Sequence, residues 1–153
     1  MTDNAQQNLK EYVTAIIGGQ LFGLPIVRVQ DVFITERLTR VPLAPPEIAG
    51  VLNLRGRIVT LIDLRRRFGL GERDPGATAM AIGVESRGES YGLLIDSVGE
   101  VLKLDDAARE ANPINLDPRL ARVSAGIHRL DGQLLMVVDV DRVLEAGGKA
   151  MAA

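Results

Sequence analysis

Residues 49–69, AGVLNLRGRIVTLIDLRRRFG, and residues 125–145, AGIHRLDGQLLMVVDVDRVLE, are two copies of one segment. They align without a gap at an offset of 76 (125 − 49) and share Ala49/Ala125, Gly50/Gly126, Leu54/Leu130, Gly56/Gly132, Asp63/Asp139 and Arg66/Arg142. A second echo, FGLPIVRVQDVF (22–33) against YGLLIDSVGEVL (91–102), runs at an offset of 69 (91 − 22) and sets Asp31 opposite Glu100. Two copies are too few for a solenoid, so the chain must fold as a duplicated pair. At 153 residues there is room for one well-buried domain or two small barrels packed together.

The repeated window carries its own local structure. Asp131-Gly132 between apolar runs is a hairpin signal that asks for φ > 0 at both central positions, and the duplication lends the same reading to Arg55-Gly56. Each second strand ends at an Asp suited to a helix N-cap, Asp63 or Asp139, and a short run with apolar residues at i and i+4 follows. The unit reads as hairpin, Asp cap, short helix. Elsewhere YVTAIIGGQLFGL predicts two strands around Gly18-Gly19, with Pro25 limiting the second. The prolines of residues 42–46 predict an extended connector, and Pro46–Ala49 a single helical turn. AMAIGVES, SYGLLIDSV and Val98–Leu104 resume the β pattern; residues 103–111 fit a short helix or a loop.

Composition removes several function classes. Residues 1–76 carry ten Lys/Arg and eight Asp/Glu, and residues 77–153 eight and twelve, which is too even for nucleic acid or an anionic membrane as main partner. The chain has no Cys, which excludes thiolate metal sites and cysteine nucleophiles and suits a reducing cytoplasm. The polar N-terminus has no signal-peptide pattern, and no apolar run approaches the roughly 20 residues of a membrane span. No cofactor motif is present, whether GxGxxG or Walker, and no metal-ligand spacing surrounds His128, the single histidine, which reads as structural. Arg65-Arg66-Arg67 reads as a solvated helix face whose side chains point in different directions.

The extended combination of Asn53-Leu54-Arg55-Gly56, Asp63 and Phe68, with FGLPIVRVQDV, VPLAPPEIAGVLNLRG and YGLLIDSVGEVLKL, resembles the CheW family of chemotaxis coupling proteins over nearly all of residues 12–146. The resemblance implies a mainly β fold: two SH3-like five-stranded β-barrels packed together, with short helices. Sequential halves are the working division: a disordered tail at 1–9, a first barrel at 10–75, a second at 76–146 and a frayed tail at 147–153. End segments have the option of crossing between barrels.

It further implies a non-catalytic adaptor, cytoplasmic and recruited to receptor arrays at the inner membrane. Its partners would be the regulatory domain of a CheA-type histidine kinase and the tips of methyl-accepting receptors, with neither nucleic acid nor direct membrane insertion. Carried over by position, the receptor-facing groove maps to Val29, Val32, Met80, Gly92, Val98 and Val101, with Asp31 where the family usually has Glu. Arg55 is added as the residue that pairs with Asp31 across the first barrel. Kinase contacts map near the turns at Gly50 and Gly56. Two bland readings stand beside these, Arg55 as a solvated turn residue and the four valines as buried barrel residues; the near alternative function is a coupling protein of another chemosensory pathway, such as one governing surface motility. An enzyme or a nucleic-acid-binding barrel is the distant alternative, and the latter usually shows stacking aromatics that this chain, with three Phe, two Tyr and no Trp, largely lacks.

Overall fold

A computed structural model describes residues 9–35, 44–71 and 79–145. Its strands are β1 (Leu9–Ile17), β2 (Gln20–Pro25), β3 (Asp31–Thr35), β4 (Ile48–Leu54), β5 (Arg57–Asp63), β6 (Ala79–Ser86), β7 (Glu89–Ile95), β8 (Ser97–Asp105), β9 (Ser124–Leu130) and β10 (Gln133–Val138). Helices α1 (Leu64–Phe68) and α2 (Pro118–Val123) and a third, α3 (140–145), are short. Two 3-10 turns, Ile26–Arg28 and Asp106–Ala108, complete the described elements.

The strands form two five-stranded sheets, ordered β8-β1-β2-β10-β9 and β3-β6-β7-β5-β4. We call them sheets A and B. Each follows the same plan, but not from sequential halves. The three strands β3, β4 and β5 pair with the hairpin β6–β7, and β8, β9 and β10 pair with the hairpin β1–β2. The two repeats therefore exchange hairpins, and the expected division at 75/76 is corrected. The exchange is made through two parallel ladders, Leu135↔Leu21 through Val137↔Gly23 in sheet A and Val59↔Ser90 through Asp63↔Leu94 in sheet B. Parallel partners cannot be joined by a tight turn, so they need distant chain segments, and the duplicated chain supplies them.

Both sheets curl into barrels. Val59, Leu61, Ala81 and Leu94, with Phe33, Ala49, Leu52 and Leu54 against them, form one cluster to which all five strands of sheet B contribute. Tyr12, Leu135 and Val137, with Leu21, Leu102, Leu104, Ala125 and Leu130, do the same in sheet A. Sheet A is also closed by hydrogen bonds. The chain beyond β8 bridges back to β9, where Glu110 and Ile127 each donate a backbone N–H to the other's carbonyl, at 2.8 and 2.9 Å. The largest core lies between the barrels, where Ala15, Ile17, Phe22, Leu24 and Val138 of sheet A meet Ile62, Ile82, Val84, Leu93 and Ile95 of sheet B.

The repeated turns behave as a pair only in part. Arg55 and Gly56 both have positive φ (55° and 83°), and Asn53 Oδ1 accepts the Gly56 N–H at 2.9 Å. In the second copy Gly132 has φ 80°, but Asp131 is absent from the positive-φ residues, so the primed-turn expectation fails at the position that prompted it. Both caps form: Asp63 Oδ1 accepts from Arg65 N at 3.0 Å and Asp139 Oδ1 from Arg142 N at 3.1 Å. Two local readings are revised. Ile48 opens β4 instead of closing a helical turn, and residues 103–105 still belong to β8. The expected N-terminal tail, residues 1–8, and the C-terminal one, 146–153, lie outside the described residues; Leu9 is already in β1. Residues 72–78, around the expected boundary between halves, and residues 42–43 of the proline connector lie outside them too.

Candidate functional site: the groove between the barrels

Sheet A ends at β8 and sheet B at β3, and β8 also approaches β6 across the inter-barrel space. Directly paired residues project to the same side of a sheet, which fixes where each candidate side chain points. Val32 pairs with Ile82 and Ile34 with Met80, and both partners belong to the inter-barrel core. Val101 pairs with Val13 and Val98 with Ala15, again residues of that core. The two edge strands therefore aim Val32, Ile34, Val98 and Val101 at one cleft, and Met80 and Val29 pack half-buried against its floor.

Several of these aliphatics are open to solvent: Ile34 is 56% exposed, Val101 48% and Val32 39%. The bland reading of the four valines as wholly buried fails for Val32 and Val101, while Val29 and Val98 are half-buried. Ile34 was missing from the sequence-derived set. Its signal was available, since Val32-x-Ile34 alternates on a strand whose other face carries Asp31, Phe33 and Thr35.

Gly92 is not on this surface. It is buried in β7, where an added Cβ would meet Leu61 at 2.5 Å and Phe33 at 3.2 Å. Its lack of a side chain lets the barrel of sheet B pack, a structural role rather than a contact.

Asp31 and Arg55 form a second place. Asp31 lies on the opposite side of β3 from Val32 and pairs with Gly83, where an added Cβ would run into the Asp31 carboxylate. Both charged residues line one cavity of about 100 Å³ with Gln30, Arg57, Ser90 and Tyr91. Among the described residues no hydrogen bond or ion pair joins Asp31 to Arg55, which is exposed at the hairpin tip. Glu89 accepts from the Tyr91 hydroxyl at 2.8 Å, and burial first, then that carboxylate, pushes the Tyr91 pKa up.

Of the two glycines mapped to kinase contacts, Gly56 is exposed at the turn between β4 and β5 and Gly50 is buried at a β-bulge. The exposed end of that hairpin is made of Asn53, Arg55, Gly56, Arg57 and Ile58.

The arginine run is not one solvated face. Arg65 forms a bidentate pair with Asp96, Nε to Oδ1 and Nη2 to Oδ2, both at 2.8 Å; Arg66 is exposed; Arg67 has its Nε buried, and burial lowers its pKa. Asp96 Oδ2 also accepts from Gly18 N at 2.8 Å, so this cluster ties the β1–β2 hairpin tip to α1 and to the β7–β8 crossover. Those are the elements that set one barrel against the other. His128 is buried inside the barrel of sheet A beside Tyr12, at 5.9 Å between ring centroids. Among the described residues no group of three or more His, Cys, Asp or Glu is placed to hold a metal ion, and no helix is long and apolar enough to cross a membrane.

Two interlocked β-barrels with an open aliphatic cleft between their edge strands make a module built around surfaces. The CheW-like domain model matches residues 11–147, and the chain belongs to the CheW family. Among its relatives, the probable chemotaxis protein CheW of Rhizobium etli is 30% identical over 138 residues, spanning 88% of this chain and 87% of that protein. The chemotaxis protein CheW of Klebsiella aerogenes is 29% identical over 147 residues, 93% of this chain and 86% of its own. The crystal structure of the scaffolding protein TtCheW from Thermoanaerobacter tengcongensis superposes with a TM-score of 0.82 at 32% identity, covering 94% of this chain and 92% of that one.

Proposed function

We propose that this protein is a non-catalytic chemotaxis adaptor that holds a CheA-type histidine kinase beside the cytoplasmic tips of chemoreceptors. The observation that carries the reading is the cleft between β3 and β8, where Val32, Ile34 and Val101 remain exposed in a member of the CheW family. A helical receptor tip lays its apolar face into this cleft, the general mode in which an amphipathic helix seats anchors in a hydrophobic groove. Asp31 and Arg55 stand at the neighbouring barrel mouth and orient the receptor by charge. The kinase's regulatory domain takes the exposed β4–β5 hairpin end near Gly56, with buried Gly50 shaping the strand behind it. The adaptor works at the membrane-attached receptor array through these partners rather than by insertion.

Occupying both surfaces at once is the mechanism. A second partner held on the same small protein binds at a raised effective concentration, so two modest affinities give a durable assembly. Val101→Glu tests the groove. It should abolish co-sedimentation with receptor-bearing membranes while kinase capture and the circular dichroism spectrum stay unchanged. Undiminished receptor binding by the folded variant contradicts the groove assignment.

A further inference from the structure

We propose that the seam closing sheet A's barrel is an acid-sensitive latch, and that His128 inside the barrel is its trigger. The seam is narrow. It consists of the reciprocal backbone pair between Glu110 and Ile127, reinforced two residues along by Arg129 Nε donating to Glu110 Oε2 at 2.7 Å. His128 sits between Ile127 and Arg129 but points the other way, into the barrel, and is 3% exposed. It pairs with Leu135 of β10, packs against Tyr12 of β1, and leaves Nε2 buried without a hydrogen-bond partner.

The charged groups facing it come from the segment that closes the barrel. Burial is the strongest influence against a positive imidazole, Arg109 opposes it next, and Asp106 and then Asp105 favour it more weakly. Tyr12 shares this surrounding, and its hydroxyl stays neutral because burial and Asp106 raise its pKa. Leu135 adds no titratable group from β10. A second proton on the ring would thus create a buried cation whose Nε2–H has no acceptor, with the Arg109 charge acting against it.

Relief lies along the seam. Lifting residues 109–112 from β9 breaks the Glu110–Ile127 bridge, takes the Arg109 charge away and admits water to the imidazole. The pH sense follows from burial, which lowers the His128 pKa in the closed form. The open form binds the proton better, so the latch holds above about pH 6.5, the ordinary histidine value, and loosens as pH falls below it. A single linked proton raises the opening constant by at most about tenfold per pH unit, until the closed form itself is protonated. Ordinary carboxylates complete most of their titration below this window.

The test is amide hydrogen exchange of the full chain between pH 7 and 5, corrected for intrinsic chemistry, alongside an NMR titration of the lone histidine. Protection at Glu110 and Ile127 should fall by up to about tenfold per pH unit below pH 6.5 and level off where the His128 ring signal titrates. Protection at Leu93 in sheet B should stay flat, as should the seam in a His128→Leu variant. A flat wild-type seam, an equal fall in that variant, a parallel fall at Leu93, or a His128 midpoint at or above the ordinary value would each overturn the latch. Should the variant not fold, the wild type alone decides, by whether its seam protection levels off at the His128 midpoint.

Discussion

The Arg65–Asp96 pair is the joint on which the groove depends, and removing it has a calculable cost. Both side chains are about three-quarters buried (22% and 24% exposed), and the two N–H···O distances are 2.8 Å, the length of charge-assisted bonds. An exposed pair would contribute about 0–1 kcal/mol, and breaking a fully buried one costs about 3–5 kcal/mol. The intermediate burial places Asp96→Ala at about 2 kcal/mol, including the loss of the acceptor for Gly18 N. With a urea m-value of about 2 kcal/mol/M, ordinary for a small domain, the midpoint should move down by about 1 M with m unchanged.

Asp96→Asn separates the contributions: it keeps an acceptor for Gly18 and loses the charge, so it should fall between wild type and alanine. An Arg65→Met, Asp96→Ala double-mutant cycle should return a coupling of about 1 kcal/mol or more, only weakly reduced by added salt. Through Gly18 the same cluster reaches the β1–β2 hairpin of sheet A, so Asp96→Ala should also weaken receptor binding without touching any groove side chain. A destabilisation below about 0.5 kcal/mol would refute the reasoning and assign the inter-barrel geometry to the apolar core alone.

Other outcomes follow from single positions. Gly126→Ala should destabilise by about 1–3 kcal/mol in urea unfolding, because φ there is +125° and the new Cβ would meet the Glu110 carbonyl at 2.7 Å, on the barrel-closing bridge. Asp63→Ala should lose about 1 kcal/mol of stability with the cap of α1, read from the denaturation midpoint. Arg55→Gly should leave stability unchanged or raise it by up to about 1 kcal/mol, since Arg55 sits at φ 55°, where glycine is unstrained; impaired array signalling from so stable a variant would assign Arg55 to recognition. Ile34→Ala should weaken receptor capture at least as much as Val32→Ala, as Ile34 exposes more of a larger side chain to the cleft.

What the amino-acid sequence disclosed was whatever is decided locally. The hairpin at Arg55-Gly56, the two Asp caps and the short helices after them need only neighbouring residues, and the duplication read each of them twice. The exchange of hairpins was hidden for the opposite reason. β2 finds β10 and β5 finds β7 across long stretches of chain, and a duplicated sequence looks the same whether each hairpin stays with its own repeat or crosses. The change of offset from 69 to 76 falls between β3 and β4, in a connection rather than in a strand, so both barrels keep their registers.

The candidate site shows the same limit. Position-by-position transfer found Val32, Met80, Val98 and Val101 on the cleft, yet it grouped Asp31 with them, although strand alternation sends Asp31 and Val32 to opposite sides of β3. It also counted Gly92 as surface, because a glycine that exists to let Leu61 and Phe33 approach is indistinguishable in sequence from one that admits a ligand. Asp131 kept a negative φ despite its Asp-Gly turn pair, a reminder that such pairs admit more than one turn type.

The adaptor account is tested most directly by reconstituting three purified components: receptor-bearing membranes, a CheA-type kinase and this protein. The account predicts that the kinase sediments with the membranes when this protein is present and remains largely in the supernatant when it is omitted or carries Val101→Glu. Kinase sedimentation that is the same with and without the protein would contradict it.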